Sequence, residues 1–216
     1  MIAQGYAAEE LVPRLRGTLH WYAAWVCAGV CVTLAALAPT ATARGAALVY
    51  GAGLTVLFGA SGVYHRWKGC PRWKERLRRL DHSMIFIALG TSYTTVALLV
   101  LESPLPVLVV VWPAVLAGVA FSVAWIDAPR VLHAAGYIAT GWLPAVAVPE
   151  LPALVGTTAC LLFAAGGVVC SLGAVVYTTQ RPNPWPATFG FHEVFHALII
   201  VGVGMHAAAM AGLVVA

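Results

Sequence analysis

Charge is what this chain has least of. Only 9% of its 216 residues are charged, 61% are hydrophobic, and the mean hydropathy is +0.87, where an ordinary soluble domain is about a quarter charged. A water-soluble globule is thereby excluded, and the chain reads as an integral membrane protein. Polar linkers are missing as well. No internal repeat, low-complexity tract or long polar stretch interrupts the apolar runs, so no separate soluble domain is expected and function has to sit among the spanning helices. Cysteines are few, dispersed and odd in number (Cys27, Cys31, Cys70, Cys160 and Cys170), with no C-x-x-C. That set offers neither a disulfide framework nor a thiolate metal site. Cys27 and Cys31 share a helical face and are read as packing. The first apolar run follows Glu9, Glu10, Arg14 and Arg16 without a small-residue cleavage site, so it is expected to stay as a span.

What is present is a series of apolar runs, each near the 20 residues needed to cross about 30 Å of hydrocarbon. They are placed at 19–38, 45–65, 81–101, 105–126, 131–149, 152–178 and 190–214. Breaks fall at Pro39 and Arg44, at the basic run Arg66 to Arg79, at Glu102-Ser103-Pro104, at Asp127 to Arg130, at Pro149 to Pro152 and at Arg181 to Pro186. The expected fold is an all-α, seven-transmembrane helix bundle forming one domain over residues 1–216, with 1–18 as a cytoplasmic N-terminal segment. Lys and Arg are retained on the cytoplasmic side, and seven of them crowd the loop after span two: Arg66, Lys68, Arg72, Lys74, Arg76, Arg78 and Arg79. With an odd number of spans, eleven of the twelve basic residues then lie inside and only Arg44 outside. The N-terminus is therefore placed in the cytoplasm, the C-terminus outside, and the protein in the plasma membrane. The net charge of +4 reflects this rule and does not imply nucleic acid; the basic loop is expected to touch anionic headgroups of the inner leaflet. Glycines such as Gly51, Gly53, Gly62, Gly166, Gly202 and Gly204 are read as places where helices approach closely. No oligomeric state can be read from the chain.

The chemistry concentrates in His192-Glu193-Val194-Phe195-His196. Imidazoles at i and i+4 lie on one helical face about 6 Å apart, close enough to share a Zn2+ ion, while Glu193 points about 100° away. Two helix-end histidines that bond neighbouring helices are the plainer alternative. Depth favours the metal. His65 ends span two, with Ser61 one turn earlier; Asp81 and His82 open span three; His192, Glu193 and His196 open span seven. All lie near the cytoplasmic face, and ionisable groups among apolar helices are costly unless paired or metal-bound. Three neutral imidazoles with one open position are what a catalytic zinc needs.

Together, Ser61-Gly62-Val63-Tyr64-His65, Leu80-Asp81-His82-Ser83-Met84-Ile85-Phe86 with Gly90-Thr91-Ser92-Tyr93-Thr94, and Arg181-Pro182-Asn183-Pro184 with Phe189-Gly190-Phe191-His192-Glu193-Val194-Phe195-His196 resemble the bacterial hemolysin III family. That family is related to the progestin and adiponectin receptors and, more remotely, to alkaline ceramidases. The resemblance implies a seven-helix bundle with zinc held by His65, His192 and His196, and with Asp81 and Ser61 beside it. Where relatives carry a Thr-His-Gly sequence before the first span, this chain has Arg16-Gly17-Thr18-Leu19-His20-Trp21, which leaves His20 an uncertain equivalent.

The activity implied is hydrolysis of a lipid amide, with membrane lipids as substrate. Zinc would activate a water molecule and polarise the carbonyl, Asp81 would accept the proton, and Ser61 would donate a hydrogen bond. A pore-forming, hemolysin-like protein and a receptor or sensor with a purely structural zinc are the alternatives. The pore needs a polar stripe, which outer halves rich in Ala, Val, Leu and Gly do not supply. An H-E-x-x-H metalloprotease would need Glu193 on the metal; here that glutamate is assigned to a helix N-terminus or to an arginine partner, Arg181 or a loop residue. His82 is assigned a headgroup or backbone partner and His133 a capping or interfacial role. His206 lies about 21 Å along the helix from His192, too far to share a metal.

Overall fold

The computed structural model describes residues 12–148 and 150–216, so Glu9, Glu10 and Pro149 lie outside the described residues. Among the described residues eight helices follow in order: α1 Thr18–Leu37, α2 Ala41–Arg66, α3 Pro71–Val100, α4 Leu105–Ala124, α5 Arg130–Ala147, α6 Leu151–Val155, α7 Thr157–Thr179 and α8 Phe191–Val215. Six of them, α1, α2, α3, α4, α7 and α8, are long and apolar enough to cross a membrane. Helix α5 has 18 residues.

Three boundaries differ from expectation, each for a local reason. Helix α2 begins at Ala41 because Thr40 caps it, its Oγ1 accepting the Ala43 N–H at 3.1 Å. Helix α3 starts ten residues before the apolar run. Pro71 stands in its first turn, where a missing N–H costs nothing, and the basic stretch beyond it consists of good helix formers joined by a Glu75–Arg79 pair at 2.7 Å. Only residues 67–70 remain as loop. The sixth apolar run is divided at Gly156, whose φ of 79° ends the one-turn helix α6 before α7 begins.

The long helices close into a ring in chain order. Helix α1 packs on α2, α2 on α3, α3 on α4, α4 on α5, α5 on α7, α7 on α8, and α8 back on α1. Outward faces carry Val26, Val32, Leu48, Val109, Leu161 and Leu172 exposed, an apolar coat suited to lipid. Inward, Tyr50, Leu54 and Leu57 of α2 meet Met84 and Ala88 of α3 and Met210 of α8. Leu34, Ala35, Ala43, Ala47 and Val214 seal the end of the ring opposite the histidine motif. A side chain on Gly51, Gly53, Gly62, Gly166 or Gly202 would collide with the neighbouring helix, whereas Gly204 faces open space and has no such role.

Candidate metal centre

The ring brings one end of seven helices together: the starts of α1, α3, α5 and α8 and the finishes of α2, α4 and α7. His65 occupies the last turn of α2, Asp81 the third turn of α3, and His192 and His196 the first two turns of α8. One ring nitrogen from each of His65, His192 and His196 lies within 4.8 Å of the other two. The Nε2 atoms of His65 and His192 are 3.1 Å apart, close to the edge of about 3.3 Å in a tetrahedron of Zn–N bonds. These residues fit a zinc ion: three imidazoles from two helices, all buried or half-buried, with a carboxylate beside them. Asp81 Oδ2 is 3.8 Å from His65 Nε2, beyond hydrogen-bond reach.

Two residues reinforce this set. His20, 5% exposed, lies flat on His196 with ring centroids 3.6 Å apart and planes at 11°. Its Nδ1 is 2.9 Å from Ser61 Oγ. Ser61 thus has its hydroxyl joined to the imidazole from α1. The backbone explains how α1 comes so near. Gly17, at φ 76°, turns the chain into α1 with its Cα over His65, where a Cβ would come within 2.6 Å of the His65 Cβ. One turn on, Gly62 lets the Trp21 backbone settle on α2, and a Cβ there would lie 2.9 Å from the Trp21 Cα.

Glu193 is fully buried. Its Oε1 accepts from Arg16 Nε at 2.6 Å and its Oε2 from the Gly190 N–H at 2.9 Å. The helix-start role is as expected; the arginine partner is Arg16, which precedes α1, and neither Arg181 nor a loop arginine. A carboxylate so occupied is no general base for an H-E-x-x-H protease.

The other histidines stand apart. His82 bonds the Tyr137 hydroxyl at 3.1 Å, a side-chain partner where a headgroup or backbone one was expected. His133 is 1% exposed, packed edge-on to His82 with centroids 4.8 Å apart, and neither of its ring nitrogens has a hydrogen-bond partner. It is a core residue and not an interfacial cap. His206 Nε2 reaches the Phe163 carbonyl at 3.0 Å, well away from the cluster.

The centre opens into a cavity of about 1050 Å³. Below His196 the α8 wall is Ile199, Val203, His206 and Met210, and the α3 wall continues through Ile85, Ala88, Leu89 and Val96 to Val100. Its mouth includes Arg16, Lys74, Arg78 and Arg130. The expected site did not contain these four residues. Lys74, Arg78 and Asp81 recur at helical spacing, a signal that appears only when the helix is continued back through the basic run.

The haemolysin-III related family matches this chain over residues 10–207. Similar proteins include the "Hemolysin-3 homolog" of Bacillus subtilis (strain 168), 26% identical over 71% of this chain and 70% of its own, and the "Hemolysin-3" of Bacillus cereus, 27% identical over 77% and 74%. No solved structure matches. Every segment that carries the histidine cluster falls inside the matched range, and the chain belongs to the haemolysin-III related family of multi-pass membrane proteins.

Proposed function

We propose that this protein is a zinc-dependent hydrolase of lipid amide bonds in the plasma membrane. The observation that carries the reading is the position of the three-histidine centre at the polar end of a long, mostly apolar cavity. His65, His192 and His196 would hold the ion, which supplies Lewis acidity, polarising a carbonyl and making water nucleophilic near neutral pH. Asp81, 3.8 Å from His65 Nε2, takes the proton that water gives up. Ser61 Oγ, 2.9 Å from His20 Nδ1, is held beside the centre, where its hydroxyl would donate to the developing oxyanion. The acyl chain extends along the apolar wall, which supports a substrate tunnel better than a water-filled pore.

The same reading includes seven spans. The 18 residues of α5 rise about 27 Å, near the hydrocarbon thickness, and α5 fills the ring between α4 and α7. All basic residues except Arg44 belong to the centre's end, which makes that end cytoplasmic by the retention of Lys and Arg.

Mass spectrometry of detergent-purified protein should give about one zinc per chain, lost in His65→Ala, His192→Ala and His196→Ala. Asp81→Ala should keep the metal and stop fatty-acid release from N-acyl lipids. Metal that is absent, or indifferent to His65, would overturn the site. Metal with no turnover of any lipid amide would leave a structural zinc in a receptor-like protein.

A further inference from the structure

The cavity mouth is lined by cations that membrane topology alone does not explain. Retention of Lys and Arg on one side accounts for outward residues such as Arg72 and Arg76, yet Arg16, Lys74, Arg78 and Arg130 line the cavity itself. Arg16 is neutralised by Glu193 and Arg78 by Asp127 at 2.7 Å. Among the described residues Lys74 and Arg130 have no carboxylate within 4 Å. Lys74 Nζ donates to the Tyr64 carbonyl at 2.6 Å, which holds it at the finish of α2. The Arg130 guanidinium donates to the Gln180 side-chain oxygen and to Tyr177, neutral partners that leave its charge uncompensated, and lies 5.8 Å above the Tyr177 ring and 5.9 Å from Phe191. Two cations from different helices, α3 and α5, thus line one cavity at the same end of the ring.

The order along α3 gives the distance. Lys74 stands about 10 Å and Arg78 about 5 Å along the helix axis from Asp81, and the apolar lining runs about 28 Å further, to Val100. A ligand that satisfies the whole wall has an anion at one end, a polar bond a few atoms away and a long hydrocarbon chain. We propose that the mouth, through Lys74 and Arg130, binds the anionic group of an amphiphile, a phosphate or a carboxylate, whose chain occupies the cavity. The proposal rests on the hydrolase reading only for the bond that is cleaved at the centre; the binding stands without turnover.

The test is a thermal-unfolding titration of the full chain in dodecyl maltoside with four probes sharing one chain length: dodecyl phosphate, laurate, dodecanol and dodecyltrimethylammonium. An anionic probe should raise the melting temperature at concentrations at least about tenfold below dodecanol, the advantage expected of a hydrogen bond to a charged group. Response to dodecyl phosphate alone identifies a phosphorylated headgroup, and an equal response to laurate a carboxylate-tolerant mouth; both support the proposal. Lys74→Gln and Arg130→Gln should each require about tenfold more anionic probe, while Arg72→Gln and Arg76→Gln leave the midpoint unchanged. The Arg130 guanidinium bonds the side chains of Gln180 and Tyr177, unlike Lys74, which bonds a backbone carbonyl, so its variant remains informative if Lys74→Gln unfolds. Parity of all four probes, a preference for the cation, or equal damage from Arg72→Gln would overturn the proposal. His192→Ala should keep the preference for anions, so failure of the zinc or hydrolase reading is distinguishable from failure of this one.

Discussion

At the scale of single residues, the centre depends on a side chain that ligates nothing. His20 stacks on His196 and joins Ser61, fixing one imidazole by contact and one hydroxyl by hydrogen bond. Groups that orient metal ligands typically change affinity 10- to 100-fold when removed. His20→Ala should therefore lower zinc affinity by about tenfold or more in a chelator competition, with the fold intact by circular dichroism. His20→Phe separates the two contributions. It keeps a flat ring on His196 and loses the Ser61 bond, so it should recover most of the affinity while leaving lipid-amide turnover impaired. Equal affinity in wild type and His20→Ala would reduce His20 to a packing residue.

At the scale of elements, the site depends on how near α1 lies to the last turn of α2. The Gly62 contact with the Trp21 backbone leaves no room for a methyl group, and a backbone neighbour cannot rotate aside as a flexible side chain does. Gly62→Ala should push α1 away from α2 and lower stability by about 1–3 kcal/mol, the usual cost of overpacking. Because Ser61 and His65 flank that glycine, metal content should fall with it; a melting curve and a zinc assay on one preparation test both. The same scale shows where reading the sequence succeeds and where it stops. His65, His192 and His196 were legible because ligand chemistry, spacing and depth all pointed to one leaflet. The helical start of α3 was not, because a basic run between two apolar runs reads as loop by hydropathy, and only the tertiary setting of Lys74 and Arg78 makes it wall. Nor was the Arg16–Glu193 pair, whose members are 177 residues apart, a separation over which local pattern carries no information.

At the scale of the whole molecule, alternation of apolar runs and breaks was enough to anticipate an all-helical membrane bundle, since each run must satisfy its backbone internally. The closure of the ring, α8 against α1, could not be anticipated in this way. Sidedness is open to a direct test. Cys70 is exposed in the four-residue loop beside the centre, while Cys27, Cys31, Cys160 and Cys170 are half-buried within helices. A membrane-impermeant maleimide should label Cys70 in inverted vesicles and not in intact cells. Labelling from the outside would invert the whole arrangement, centre included.

Ring closure also bears on how the protein is made. His65 and His192 are separated by 127 residues of chain, so a nascent polypeptide has inserted most of its helices before the second and third ligands leave the ribosome. Until α8 arrives, Arg16 lacks Glu193, His20 lacks the ring it stacks on, and the gap between α1 and α7 stands open to lipid. A metal held by all three histidines would therefore be captured only after the final helix docks, so that its occupancy would mark completed biogenesis and C-terminally truncated chains would be both metal-free and unclosed.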